Sequence, residues 1–531
     1  MFRSRFAAGD LTGKMSLGIL IPVILITAGL LLPLIYLVIR TFGSGMEVWN
    51  LLFRVRTLRI FVRSLLLVIG VTGTCICISL PLAWLITRTD LPLRRFWSVV
   101  LSLPLVMPSY VAGFVILAAL GPKGMLQKLL ETLFGVTRIP EIYGYPGALL
   151  TIVLISYPLM MLNIRASLRG LDPKLEEASR SLGSSSWRTY LRVILPQLRP
   201  SIASGALLVA LYTLSDFGAV SLLRYETFTW AIYLQYQTSM DRSVAAGLSL
   251  VLVFVALCIL QIEARTRGKA KYYRRGPGTG QMAVPLELGG WKWPSLFFCA
   301  FIVIFSLAIP MSVLTYWIVQ GVARGEPFLL VLKPTLNSLV VSGLSAITVI
   351  IFSLPVAFFI VRNKGKLTDF VERAVYIGYA LPGIVVALAL VFFTARYFPF
   401  FYQSIVLLVF AYVVLFLPQA LGAVRTSLLQ INPHVEEAAR SMGRNPLGVM
   451  SSITVPLLFP GIIAGASMVF FTTMKELPAA MVLSPIGFKT LAASIWSATS
   501  EAFFARAAVP ALILIAASTI PLALFTLREK G

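Results

Sequence analysis

Asp216 and Glu476 are the residues in which chemistry is most concentrated. Each is a carboxylate inside an apolar stretch, "LYTLSDFGAV" and "FFTTMKELPAA", and the two lie 260 positions apart. An ionisable group in such a stretch marks a functional site by default. Carboxylate oxygen is also the hard donor that a hard cation prefers, and Tyr225 and Glu226 add oxygen nearby. The structural alternative is that each acid pairs with a neighbouring base, such as Lys475 or Arg224, and holds helices in register. Nothing points to catalysis, a resident metal or a cofactor. The chain has one histidine, His434, and no metal-ligand spacing. Cys75, Cys77, Cys258 and Cys299 fall in or beside apolar runs and read as small packing residues. "GPGTGQ" at Gly276 lacks the lysine of a phosphate-binding loop.

The elements that position these carboxylates must be membrane helices. Of 531 residues, 58% are hydrophobic and 12% are charged, about half the charged fraction of a soluble domain. Apolar runs long enough to span a bilayer recur along the chain, near 17–39, 64–86, 97–120, 147–164, 201–223, 244–262, 295–319, 336–361, 374–395, 404–421, 458–474 and 507–527. The fold class is therefore all-α, a polytopic protein of about twelve spans. The run Leu17–Ile39 is longer than a signal-peptide core and reads as the first span. The net charge of +24 reads as topology signal and lipid-headgroup contact, not nucleic-acid binding. With both termini cytoplasmic, the cytoplasmic segments carry the larger share of Lys and Arg. Arg54–Ser64 then lies outside, as an interfacial helix or a solvated loop.

The chain is internally repeated. "PKLEEASRSLG" at Pro173 and "PHVEEAARSMG" at Pro433 share seven of eleven positions. "SLPLAWLITR" at Ser79 and "SLPVAFFIVR" at Ser353 also match, which puts about 14 extra residues in the first half, in the loop near 121–146. Six spans separate the copies, so the repeats are parallel and both polar stretches face one side. In each, Asp172-Pro173 or Asn432-Pro433 starts a helix and Gly183 or Gly443 ends it. Ser184–Ser186 or Asn445 then caps a second short helix, and Pro196 or Pro456 marks entry to the next span.

These stretches resemble the cytoplasmic motif of ABC importer permeases: Glu-Ala-Ala, three residues, Gly, nine residues, Ile, one residue, Leu-Pro. Glu177, Ala178, Gly183 and Pro196 fit in the first copy, and Glu437, Ala438, Gly443 and Pro456 in the second; Ser179, Val193 and Val455 depart conservatively. The resemblance implies two tandem type-1 permease domains, at 64–262 (motif 176–200) and 336–527 (motif 436–460). Segments 1–63 and 295–335 each hold a span and an outer loop, and 263–294 is a basic cytoplasmic linker. It also implies a bacterial inner-membrane location with both termini cytoplasmic. An ATP-binding cassette subunit, a homodimer, would dock at both motifs and hydrolyse ATP, so the chain itself is not an enzyme. An extracytoplasmic binding protein would deliver the substrate. The phrases around Asp216 and Glu476 are most similar to bacterial iron(III) permeases, with Asp216, Glu226 and Glu476 as candidates for the translocation path; thiamine, polyamine and phosphonate permeases are the alternatives. A secondary transporter also reaches twelve spans through parallel halves, but it needs no pair of matched cytoplasmic loops.

Overall fold

The computed structural model describes residues 17–43, 45–136, 138, 140–171, 173–238, 243–266, 286–326 and 331–528. Asp172, expected to cap a helix, and most of the basic linker, Gly276 and Gly278 included, lie outside the described residues. Among these residues the structure is helical, with one isolated bridge, Thr89 to Leu286.

Two helices, α1 (Leu17–Gly43) and α2 (Met46–Leu52), precede the first repeat. That repeat comprises α3 (Val55–Arg88), α4 (Arg94–Val100), α5 (Ser109–Leu120), α6 (Met125–Phe134), α7 (Tyr145–Gly170), α8 (Pro173–Ser181), α9 (Ser186–Thr189), α10 (Leu195–Ser215), α11 (Gly218–Leu222), α12 (Phe228–Thr238) and α13 (Ser243–Thr266). Next come α14 (Lys292–Val303) and α15 (Ile309–Ala323). The second repeat comprises α16 (Leu332–Arg362), α17 (Lys366–Ile377), α18 (Gly383–Tyr397), α19 (Ile405–Gln430), α20 (Pro433–Ser441), α21 (Pro446–Val449), α22 (Val455–Lys475), α23 (Pro478–Leu483), α24 (Leu491–Ser500) and α25 (Phe504–Arg528). The helices of the second repeat match those of the first in order, with α6 left over. It fills the loop where the extra residues were expected, and it ends on Gly135 at φ +68°.

Among the described residues, ten helical stretches are long and apolar enough to cross a bilayer. Two shorter apolar helices, Gly383–Tyr397 and Phe504–Thr519, account for the other two expected spans. Three spans differ from the continuous runs read in the sequence. The run at 97–120 is α4, a 3-10 turn (Leu103–Val106) and α5, and the run at 374–395 breaks at a 3-10 turn (Gly378–Ala380). Pro108 and Pro382 stand immediately before α5 and α18 in extended conformation. Proline cannot donate to the preceding turn and clashes with it, so the helix stops. The run at 201–223 ends at Ser215, and Asp216 is extended before α11. Its side chain takes amides of the next helix, which a continuing helix would have bonded internally.

Arg54–Ser64 is neither a separate interfacial helix nor a loop. From Val55 it forms the first turns of α3, whose 34 residues extend about 50 Å at 1.5 Å per residue. Arg56 and Arg63 both reach Glu226, at 2.9 and 3.4 Å. The basic turns are thus tied to their own chain.

The chain groups into two compact units. One holds α1 as far as Ile35, with Val341–Tyr379 and Val409–Thr473. Within it Gly465 lies against Ile350 and Ala420, a close approach of α22 to α16 and α19 that a side chain would hinder. The other unit holds Tyr36–Val340, Ala380–Leu408 and the chain from Met474. Its core is the packing of α3, α7 and α10, through Leu67, Val71, Tyr157, Met160 and Leu198. Ser79 Oγ donates to the Tyr157 carbonyl at 2.8 Å, and Tyr157 Oη donates to the Leu101 carbonyl at 2.9 Å. Cys75 and Cys299 are buried in this core.

Candidate functional site

Each polar stretch is a helix, a glycine turn and a second helix. In the second copy Asn432 Oδ1 accepts the His434 amide at 3.0 Å, capping α20. Gly183 and Gly443 follow the first helices with φ of +80° and +83°, a conformation that favours glycine. The second helices are capped as expected: Ser185 Oγ accepts the Arg188 amide at 3.3 Å, and Asn445 Oδ1 accepts the Gly448 amide at 2.6 Å. These second helices are not free-standing. Each runs through a π turn, Tyr190–Ile194 or Met450–Thr454, directly into α10 or α22. Pro196 and Pro456 stand just past those π turns, at the second position of α10 and α22.

The two adjacent glutamates of each copy have different surroundings. Glu177, Ala178, Glu437 and Ala438 are exposed. So are two large apolar side chains at matching positions, Leu182 at 86% and Met442 at 76%. Glu176 and Glu436 turn inward instead. Glu176, with 13% of its side chain exposed, sits 3.8 Å from Arg88 and 3.3 Å from Arg180. Arg88 Nη2 also donates to the Leu168 carbonyl at 3.0 Å. Glu436 Oε1 lies 3.1 Å from Arg362 and accepts from Thr454 Oγ1 at 3.2 Å. Sequence reasoning missed this clamp. The signal was present, since Arg88 and Arg362 end the two matched segments "SLPLAWLITR" and "SLPVAFFIVR".

Asp216 and Glu476 occupy equivalent breaks. Asp216 is 6% exposed, and its Oδ1 accepts the amides of Ala219 and Val220 at 3.0 and 3.3 Å, capping α11. Glu476 Oε1 accepts the Ala479 amide at 3.3 Å in the first turn of α23. Neighbouring bases have other contacts: Lys475 Nζ donates to the Leu105 carbonyl at 3.1 Å, and Arg224 stacks over Tyr143 at 5.1 Å. The start of α5 meets the Asp216 break at Ser109, whose Oγ lies against Gly218. The start of α18 meets Glu476 at Gly383. The structure thus places Asp216 and Glu476 in one compact unit. Glu226 stands apart from them, bound to Arg56 and Arg63.

Residues 76–263 and 349–531 each match the family model for the binding-protein-dependent transport system inner membrane component. The chain belongs to this family. It is a multi-pass membrane protein and the permease of an ABC importer. The permease is 35% identical over 503 residues to the Fe(3+)-transport system permease protein FbpB 2 of Haemophilus influenzae, covering 94% of this chain and 96% of that protein. It is 24% identical over 438 residues to the ferric transport system permease protein FbpB of Actinobacillus pleuropneumoniae, covering 78% and 63% of the two chains. One repeat's length, 211 residues, is 35% identical to the molybdenum transport system permease protein ModB of Escherichia coli, covering 38% and 91%.

The permease repeat also recurs in hydrogen bonds. Ser64 Oγ accepts the Phe228 amide at 3.1 Å, and Ser338 Oγ accepts the Leu491 amide at 2.7 Å. In both halves a serine near the start of the repeat's first long helix takes the first amide of the second helix after the carboxylate break, α12 or α24.

Proposed function

We propose that this permease carries ferric iron, with Asp216 and Glu476 lining its path. The observation that carries the reading is the placing of the two carboxylates at matching helix breaks, where each accepts an amide of the short helix that follows. Carboxylate oxygens suit a hard trivalent ion, and broken helices lie at substrate sites in other transporters. The similarity to two ferric permeases supports the same cargo. Glu226 is left out of the path, because both its oxygens are engaged by arginine. ATP-binding subunits, as a homodimer, dock on Glu177, Ala178 and Gly183 and on Glu437, Ala438 and Gly443, and they hydrolyse the ATP. Exposed apolar and acidic side chains on these helices support that role. An extracytoplasmic binding protein delivers the iron, and both termini are cytoplasmic.

The test is ferric uptake into proteoliposomes that hold the ATP-binding subunit and the binding protein. Asp216→Asn keeps a capping side chain and removes the charge, as does Glu476→Gln. Each should lower uptake roughly tenfold, the loss of one charge-assisted contact, while the melting temperature holds. Full uptake in the double variant sinks the reading. Cysteine labelling at Ser185 and Asn445 should be blocked from outside intact cells and Gly135 accessible; the reverse pattern overturns the orientation.

A further inference from the structure

A cavity of about 750 Å³ opens in the second unit, between the α6 loop, the turn after α11, α15, and the ends of α24 and α25. Its position is defined by α7: Tyr143, in its wall, precedes that helix, whereas α8 follows it. The cavity therefore lies at the end of α7 remote from the docking helix. Three cations line it, Lys123, Lys128 and Arg224, and no aspartate or glutamate does so among the described residues. Glu131 and Glu501 are close in sequence but not in its wall.

The backbone is shaped around this cavity. Among the described residues five non-glycine positions have positive φ, and three of them line it: Lys123 at 58°, Arg224 at 54° and Ala502 at 63°. Side chains rarely adopt this region, and strain of this kind gathers at functional sites. Arg224 is steadied by the Tyr143 ring at 5.1 Å. Trp496 Nε1 donates to Ser221 Oγ at 3.3 Å, joining two walls. Phe504, packed against Trp317 at 5.3 Å, adds an apolar part to the same lining. Apolar lining lowers the local dielectric and strengthens the attraction of the cations for an anion.

We infer that this cavity binds a phosphate-like oxyanion, held by Arg224 with Lys123 and Lys128. Guanidinium and ammonium donors match tetrahedral oxyanions in charge and geometry. The inference does not rest on the ferric reading, since these cations would repel a bare trivalent ion. The anion is either free or the headgroup of a phospholipid.

The full chain in nanodiscs of phosphatidylcholine is titrated with inorganic phosphate and sulfate, following tryptophan fluorescence and equilibrium dialysis. Saturable binding is expected, weakened roughly tenfold by Arg224→Gln and further by Lys128→Gln, while Arg224→Lys retains part of it. If phosphatidylglycerol nanodiscs abolish phosphate binding by competition, the natural source is a headgroup; if they leave it intact, the source is the free anion. Both outcomes support an oxyanion site. Equal affinity in wild type and the double variant, or no saturable binding in either lipid, overturns it. Asp216→Asn should bind phosphate normally, so failure of the iron path and failure of this site are told apart.

Discussion

Gly383 lies against Glu476 at the start of α18, where the matching residue at the start of α5 is Ser109. In the first half that serine hydroxyl lies against Gly218, two residues past the shorter acid. In the second a longer acid meets a glycine, and a Cβ there would fall inside the contact distance of Glu476 Oε1. The two pairs fill equivalent space with different residues. Gly383→Ser should displace Glu476 and reduce uptake, and Glu476→Asp should restore room in the double variant. A double-mutant cycle on melting temperature checks this: non-additivity of about 1 kcal/mol or more is expected for groups in contact, and additive losses would show that the two sites do not touch.

Adjacent glutamates should behave differently. Glu176→Gln leaves Arg88, almost fully buried, without its charge partner, and should destabilise the protein by about 3 kcal/mol. Glu177→Gln removes an exposed charge and should leave the melting temperature nearly unchanged while weakening attachment of the ATP-binding subunit. Thermal unfolding and pull-down on both variants separate the roles; equal loss of stability would contradict the difference in burial.

Apolar exposure on the docking helices predicts a second effect. Leu182→Asp and Met442→Asp should each reduce copurification of the ATP-binding subunit severalfold, because an interface core loses affinity when a charge is desolvated there. Folding should be unaffected, since both side chains face solvent. Wild-type copurification in both variants would remove these residues from the interface.

Gly183 and Gly443 hold φ near +80°. Valine at either position should cost about 1–2 kcal/mol of local backbone strain. Neither glycine has a neighbour that a Cβ would strike, so the cost is conformational and Asn should be tolerated better than Val. ATPase coupling measured for the two substitutions checks the order.

A strap beside the first docking motif gives a pH prediction. The Leu286 amide donates to the Arg88 carbonyl at 2.8 Å, and the Asp90 amide to the Leu286 carbonyl at 3.0 Å. Asp90 Oδ1 accepts the Leu288 amide at 2.9 Å, and Lys292 lies 3.5 Å from the carboxylate. The Leu288 hydrogen bond, aided by Lys292, holds the Asp90 carboxyl below its ordinary range. A depressed carboxyl stabilises the strap above its unfolded pKa, and that contribution is lost as pH falls through the folded pKa. The protection of the Leu288 amide, measured as exchange relative to its intrinsic rate at each pH, should therefore fall on acidification below the ordinary aspartate value. Asp90→Asn should remove most of that pH response.

The sequence by itself determined the membrane class, the twelve apolar runs, the parallel repeat and the glycine-turned polar motif, because each depends on local composition or on spacing along one helix. Gly183, Asn432, Ser185 and Asn445 could be read for the same reason: a cap or an αL turn involves residues two to four apart. Tertiary structure decided what depends on partners far along the chain. Glu176 and Glu177 are neighbours with the same side chain, and only Arg88, brought alongside by the packing of α3 against α7, makes one of them internal. Asp216 and Glu476 could be paired by their spacing, and the breaks at Pro108 and Pro382 are local to those prolines, but the approach of α18 to Glu476 at Gly383 comes from helix ends meeting. The basic turns at Arg56 and Arg63 remain exposed, but the sequence could not show that they continue into α3 or that Glu226, 170 and 163 residues further along, binds them. Charge and hydropathy report what a segment prefers in isolation, whereas a buried ion pair is settled by whichever distant group the fold supplies.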